Sequence, residues 1–272
     1  AAQQRALGTQ AATATLANVS VTVDGAAASY PAGSVRASVP VRAADDLTAW
    51  SLAEDGAISA AGGAWDAQQQ TYAFDVISGV TAIARFPFAD VPAGSWYYGA
   101  AAYAYNNGLF AGTTDTTFAP DMTMTRAMLV SVLWRLAGEP APKGTNTFDD
   151  VPDGAWYTDA VTWAAENGVV AGIGNGRFDP SGAVTREQTA VILFNYAQSK
   201  GYDVSARADL SAFPDAGSVS GWAQEALAWA NASGLISGAV RGTQTILDPQ
   251  GSASRAQVAM ILMGYVEHVV NA

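Results

Sequence analysis

The chain has 272 residues, no cysteine, a single histidine (His268) and a formal net charge of −11, from 13 Lys+Arg against 24 Asp+Glu. The missing thiols exclude a disulfide scaffold, a cysteine nucleophile and a thiolate zinc site, and one histidine leaves no His-rich metal site and argues against a serine triad. The acidic balance argues against nucleic acid and anionic lipid as partners, since both need a basic surface, and no run of about 18 apolar residues exists to insert into a membrane.

The chain opens Ala1-Ala2-Gln3-Gln4, without methionine or signal peptide, which reads as a processed product or a fragment of something longer. Residues 1–12 are Ala/Gln-rich and read as a flexible terminus. Residues 13–86 read as a β-rich module. Val19-Ser-Val21-Thr-Val23 alternates as a half-buried strand does, and Asp24-Gly25 follows as a turn signal. Further strands are expected over Val35–Val41, Thr48–Leu52, Thr71–Val76 and Thr81–Phe86, with turns at Asp55-Gly56 and Gly62-Gly63. Short strands with regular turn signals suggest a small β-sandwich.

From residue 87 the chain repeats itself. Phe88-Ala-Asp90-Val91-Pro92 recurs as Phe148-Asp-Asp150-Val151-Pro152 and, more loosely, as Phe213-Pro-Asp215-Ala216. Trp96, Trp156 and Trp222 follow, then Asn107-Gly108, Asn167-Gly168 and Ser233-Gly234. Phe118-Ala-Pro120, Phe178-Asp-Pro180 and Leu247-Asp-Pro249 come next, and Thr125-Arg126, Thr185-Arg186 and Ser254-Arg255 open an apolar run. The landmarks of the first two units lie 60 residues apart; the third unit carries three extra residues between Gly238 and Pro249. Each unit reads as two helices, the first running from the Trp to a left-handed glycine cap and the second starting on a Thr or Ser N-cap. Proline in the intervening loop stops any helix. The units are expected over residues 87–140, 147–200 and 211–270, linked by 140–147 and 201–210.

These ordered landmarks, three times over about 180 residues, resemble S-layer homology (SLH) repeats, and the segment before them resembles the β module of large Gram-positive surface proteins. The resemblance implies an α+β multi-domain chain: a sandwich-like β domain, then a mostly helical pseudo-trimer with a central three-helix bundle. It also implies an extracellular protein held noncovalently to cell-wall secondary polysaccharide, often a polymer bearing pyruvate ketals, in grooves between adjacent repeats. It implies that Arg126, Arg186 and Arg255 meet a ligand carboxylate, and that Asp90, Asp150, Asp215 with Trp96, Trp156 and Trp222 help form the grooves. One departure stands out. The family's Thr-Arg motif carries Glu at its fourth place, where this chain has Met128, Gln188 and Gln257. Gln188 and Gln257 retain the chemistry of a capping box; Met128 does not.

Each of these residues has a plainer reading beside the ligand-binding one. The arginines could pair with the aspartates or cap a loop carbonyl, the tryptophans could anchor the first helix in a core, and the aspartates could brace a turn. Trp134, Trp163 and Trp229 lie on helical stripes and read as core. No carboxylate pair, metal loop or phosphate loop stands out, so no catalytic residue, metal or cofactor is expected. Against the anchoring reading stand two others: a surface-layer protein whose repeats self-associate without binding glycan, and the wall anchor of an enzyme whose catalytic domain lies outside this chain. Residues 88–272 hold nine Lys+Arg against 17 Asp+Glu, a net of −8, so an anionic glycan would be met by local arginine pockets and not by the overall field.

Overall fold

The structure, a computed structural model, describes residues 14–23, 26–28, 34–41, 47–53, 58–61, 63–66, 68–77, 80–92 and 94–271. The 1–12 terminus and the turns at Asp24-Gly25 and Asp55-Gly56 lie outside the described residues. The chain forms two compact units, Ala1–Pro120 and Asp121–Ala272.

The first unit opens with strands β1 (Thr15–Asn18), β2 (Val21–Val23), β3 (Ala26–Ala28), β4 (Val35–Pro40), β5 (Leu47–Leu52), β6 (Ile58–Ala60), β7 (Gly63–Asp66), β8 (Thr71–Val76) and β9 (Val80–Arg85). All pairings are antiparallel. They give a four-stranded sheet in the order β1-β9-β5-β6, a three-stranded sheet β4-β8-β7 and the hairpin β2-β3. The strands expected from alternation at residues 35–41, 48–52, 71–76 and 81–86 lie within a residue of those bounds. Tyr72, Phe74 and Val76 of β8 share an apolar cluster with Ala17, Ala49 and Ile83 of the other sheet. Phe86 then ties this region to the first repeat. Its ring meets Trp50, Phe88, Tyr98 and Tyr105 edge-on, with centroids 5.4–6.1 Å away. The fully buried Trp50 donates its indole N–H to the Tyr98 hydroxyl at 2.8 Å. Helix α1 (Tyr98–Asn106) packs on β6, where a Cβ on Gly99 would fall 2.7 Å from the Ile58 carbonyl. Apolar packing between strand and helix thus continues from the β-rich region into the first repeat.

The second unit holds α2 (Arg126–Leu136), α3 (Thr158–Glu166), α4 (Arg186–Lys200), α5 (Gln224–Ala232) and α6 (Arg255–Tyr265). Short first helices end on left-handed glycines, φ +68° at Gly108, +68° at Gly168 and +72° at Gly234, a conformation that glycine adopts without a Cβ penalty. The second helices start on Thr125, Thr185 and Ser254 in extended conformation, each side chain accepting from the backbone N–H three residues on. Gln188 and Gln257 return the favour to the cap N–H and complete a capping box; Met128 has no acceptor to do so. Met128→Gln is therefore expected to stabilise the unit by roughly 0.5 kcal/mol, the usual worth of one capping interaction, read as a rise in the urea midpoint.

The segments leading into these three helices close a ring. Met124 N–H donates to Ala253 O at 2.9 Å, Ala253 N–H to Val184 O at 3.1 Å, and Val184 N–H to Met124 O at 2.9 Å. Each arginine at the head of a second helix repeats the pattern one step further out, with Arg126 N–H on Gly182 O, Arg186 N–H on Gly251 O and Arg255 N–H on Met122 O, all at 2.9 Å. The repeats are thus cross-linked cyclically through backbone groups, which need no particular side chain. Helix α2 packs on α3, and α4 on α5. Tyr196 of α4 and Tyr265 of α6 meet at 5.8 Å, beside Trp163 and Trp229, which are buried as their helical stripes require; Trp134 is half-buried and donates to Pro140 O at 2.9 Å. With its three extra residues the third repeat extends the loop after Gly238 into a hairpin, β10 (Ala239–Arg241) with β11 (Gln244–Ile246), where the second repeat has the single bridge Gly174–Arg177.

Candidate functional site

The site is built where the second helix of one repeat starts against the Phe-x-Pro turn of the next. That turn is strained: its middle residue has φ +57° at Ala119, +61° at Asp179 and +51° at Asp248, a region that side chains with a Cβ rarely occupy. The repeated aspartate holds it. Asp90 accepts from Phe118 N–H (2.8 Å) and Ala119 N–H (2.7 Å), Asp150 from Phe178 N–H (2.7 Å) and Asp179 N–H (2.8 Å), and Asp215 from Leu247 N–H (2.8 Å) and Asp248 N–H (2.7 Å). Burial works against ionisation of Asp150, but these two amides and the Arg177 side chain at 3.4 Å outweigh it and hold its carboxyl below the ordinary value. The motif glycine belongs to the same assembly. A Cβ on Gly112, Gly172 or Gly238 would come within 2.5, 2.9 or 3.1 Å of the ring of Phe88, Phe148 or Phe213, so aromatic and glycine are required together.

Arg126 lies under this turn with only 7% of its surface exposed. Its Nε donates to Phe178 O at 2.8 Å, its Nη2 to Ala171 O at 3.1 Å, and its guanidinium sits 4.7 Å from the Phe178 ring centroid. Burial pushes its pKa down while Asp179 and Asp150 oppose that shift, and the group remains cationic at neutral pH. Arg186 repeats the arrangement one unit on, with Nε on Leu247 O at 2.8 Å, but its buried Nη2 has no acceptor among the described residues. Arg255, 7% exposed, occupies the same place at the head of α6.

The tryptophans behave in the opposite way. Trp96, Trp156 and Trp222 are 63%, 61% and 59% exposed, three large aromatics turned to solvent at one repeat position. Trp222 closes a groove of about 440 Å³ with Arg126 at its base and Ala171, Ile173, Gln188, Val191 and Ile192 among its walls. The structure therefore brings Arg126 and Trp222, from the first and third repeats, onto a wall supplied by the second. Asp150 reaches this groove only through the Phe178–Asp179 turn, and Trp156 is not among its lining residues. Of the lining residues the sequence singles out Arg126, Trp222 and, at the fourth motif place, Gln188; it carries no signal for Ala171, Ile173 or Asn195 as groove walls, nor for the burial of Glu187 beside them. Among the described residues no group of three or more His, Asp or Glu could hold a metal ion, and no described helix is long and apolar enough to cross a membrane.

The S-layer homology domain family matches residues 87–127, 147–190 and 212–259. The chain carries three SLH domains. Each match runs from the Phe-x-Asp segment of a repeat into its second helix, ending at Ala127 of α2, Ala190 of α4 and Ala259 of α6. Among curated relatives, the surface-layer 125 kDa protein of Lysinibacillus sphaericus is 32% identical over 60% of this chain and 13% of that protein. The amylopullulanase of Thermoanaerobacterium thermosulfurigenes is 33% identical over 57% of this chain and 8% of the enzyme, and exoglucanase XynX of Acetivibrio thermocellus 31% over 57% and 14%. The chain spans less than a fifth of the length of these relatives, so the enzymes' names indicate no catalytic activity for it. SLH domains shared by surface-layer proteins and by such enzymes support a role in cell-wall anchoring and an extracellular location at the cell surface.

Proposed function

We propose that the SLH domains hold the chain noncovalently to an acidic cell-wall polysaccharide, with the Arg126–Trp222 groove as one binding site. The observation that carries this reading is the pairing of a buried cation at the base of an apolar groove with an exposed indole at its rim. Arg126 spends Nε and one Nη2 hydrogen on loop carbonyls, which leaves Nη1 without a protein acceptor among the described residues and able to meet a carboxylate, such as a pyruvate ketal. Trp222 offers a flat apolar face to the C–H face of a sugar ring. Asp90, Asp150 and Asp215 support the ligand loops by fixing the turns, and Trp96, Trp156, Arg186 and Arg255 supply the corresponding parts of the other repeats. The same reading takes the two β-sheets of the first unit as a small sandwich and the second helices as a central three-helix bundle. The closed hydrogen-bonded ring supports the latter.

Sedimentation with purified sacculi, native and stripped of secondary polymer or of pyruvate, tests the proposal. Binding should depend on the polymer and weaken in Trp222→Ala. Sedimentation that ignores stripping would sink it, and assembly into sheets without any wall would favour self-association instead. Because the SLH region carries a net of −8, local pockets and not a basic surface must supply the attraction. Affinity should then fall by less than about tenfold between 50 and 200 mM salt, since few ions are exchanged.

A further inference from the structure

Glu187 is a buried carboxylate in a position where the other two repeats have alanine, Ala127 and Ala256. It is 4% exposed, and its partners all belong to the third repeat. Oε2 accepts from Ser220 N–H at 3.0 Å, Oε1 accepts from the Ser220 hydroxyl at 2.9 Å and from the Gln250 amide at 3.4 Å, and that amide also donates to Ser218 O at 2.7 Å. Ser220 is equally singular. It stands two residues before Trp222, where the other repeats have Gly94 and Gly154 before Trp96 and Trp156. The third repeat also has one more residue between its Phe and Trp landmarks, nine positions instead of eight, and that stretch includes a short 3-10 turn at Ala216–Ser218. A longer loop has more ways to place its indole, and this one is pinned by a carboxylate from the neighbouring repeat.

We infer that Glu187 is a positioning residue that fixes Trp222 over the Arg126 groove through Ser220. The inference rests on the Arg126–Trp222 groove being the glycan site, and Gln188, the next residue, lines that groove itself. Two hydrogen bonds to a charged acceptor make a stiffer hinge than a backbone turn alone. Removing them releases the indole without touching the walls.

The test is a double-mutant cycle on the full chain, with native sacculi as the probe. Glu187→Ala should weaken binding roughly fivefold in the wild-type background and not at all once Trp222 is already alanine, while lowering the unfolding temperature equally in both backgrounds. Glu187→Gln keeps an acceptor for Ser220 and should restore binding to within about twofold of wild type. Equal losses of affinity with and without Trp222 would overturn the inference, as would no loss at all. Ser220→Ala, which removes one bond only, serves if Glu187→Ala does not fold, and should show the same dependence on Trp222. A second readout needs no ligand: the Trp222 indole N–H resonance should report greater nanosecond mobility in Glu187→Ala, with those of Trp96 and Trp156 unchanged. If wild type ignores sacculi, the anchoring proposal fails, whereas an unaltered Trp222 resonance rejects the role of Glu187.

Discussion

Arg126→Ala should cost both stability and binding, and Arg126→Lys should separate the two. The alanine variant leaves the buried Phe178 O and the partly exposed Ala171 O without their guanidinium donors and removes the stacking on Phe178. The abandoned buried Phe178 carbonyl costs about 1–3 kcal/mol and the lost ring packing adds about 1 kcal/mol, whereas Ala171 O can turn to water, so a loss of roughly 2–4 kcal/mol is expected in denaturant unfolding. Lysine keeps the charge and can serve one carbonyl, but it cannot span both and still face a ligand carboxylate with a second planar N–H edge. It should recover a good part of the stability while sacculus binding at this groove stays at least tenfold weaker, the worth of one charge-assisted contact. Full recovery of binding by lysine would mean that charge alone suffices there. Loss of stability without loss of binding would make Arg126 a brace and place the ligand elsewhere.

The repeat architecture was legible in the sequence because its landmarks are requirements of the backbone. Gly108, Gly168 and Gly234 sit at left-handed helix ends, Thr125, Thr185 and Ser254 cap helices, and Gly172 touches Phe148 so closely that no other residue fits. Such demands survive as fixed residue types at fixed spacing. The strands Ala26–Ala28 and Gly63–Asp66 were not legible, because three alanines, or a four-residue Gly-Ala-Trp-Asp run, are too short to show an alternation. The groove was half legible. Arg126 and Trp222 announce themselves by recurrence, but the wall residues Ala171 and Ile173 are ordinary in type and gain their role only when three repeats come together. Likewise the hydrogen-bonded ring of Met124, Ala253 and Val184 uses main-chain groups alone and leaves no mark on composition. Glu187 lay in plain view as a departure from alanine, yet its partner Ser220 is 33 residues away in another repeat.

Asp150→Asn should destabilise the second repeat by roughly 2–3 kcal/mol and flatten the acid limb of its stability curve. The aspartate satisfies two adjacent amides while Asp179 is held at φ +61°, so the carboxylate both neutralises buried donors and keeps a strained residue in place. Asparagine offers one acceptor oxygen where two are needed and turns an N–H₂ group towards a backbone N–H. Because the folded carboxyl titrates below its ordinary value, its contribution is fully present above the unfolded pKa of about 3.9 and disappears as pH falls through the lower folded value. Wild type and variant should therefore differ most above about pH 4 and converge in stronger acid, as read by thermal unfolding from pH 2 to 7. A gap that stays constant across that range would show that the carboxylate's charge is not what holds the turn. Since Arg126 reads the Phe178 carbonyl of this same turn, the variant should also lose sacculus binding in the pH range where it loses stability, coupling the loop brace to the ligand groove without any contact between Asp150 and the glycan.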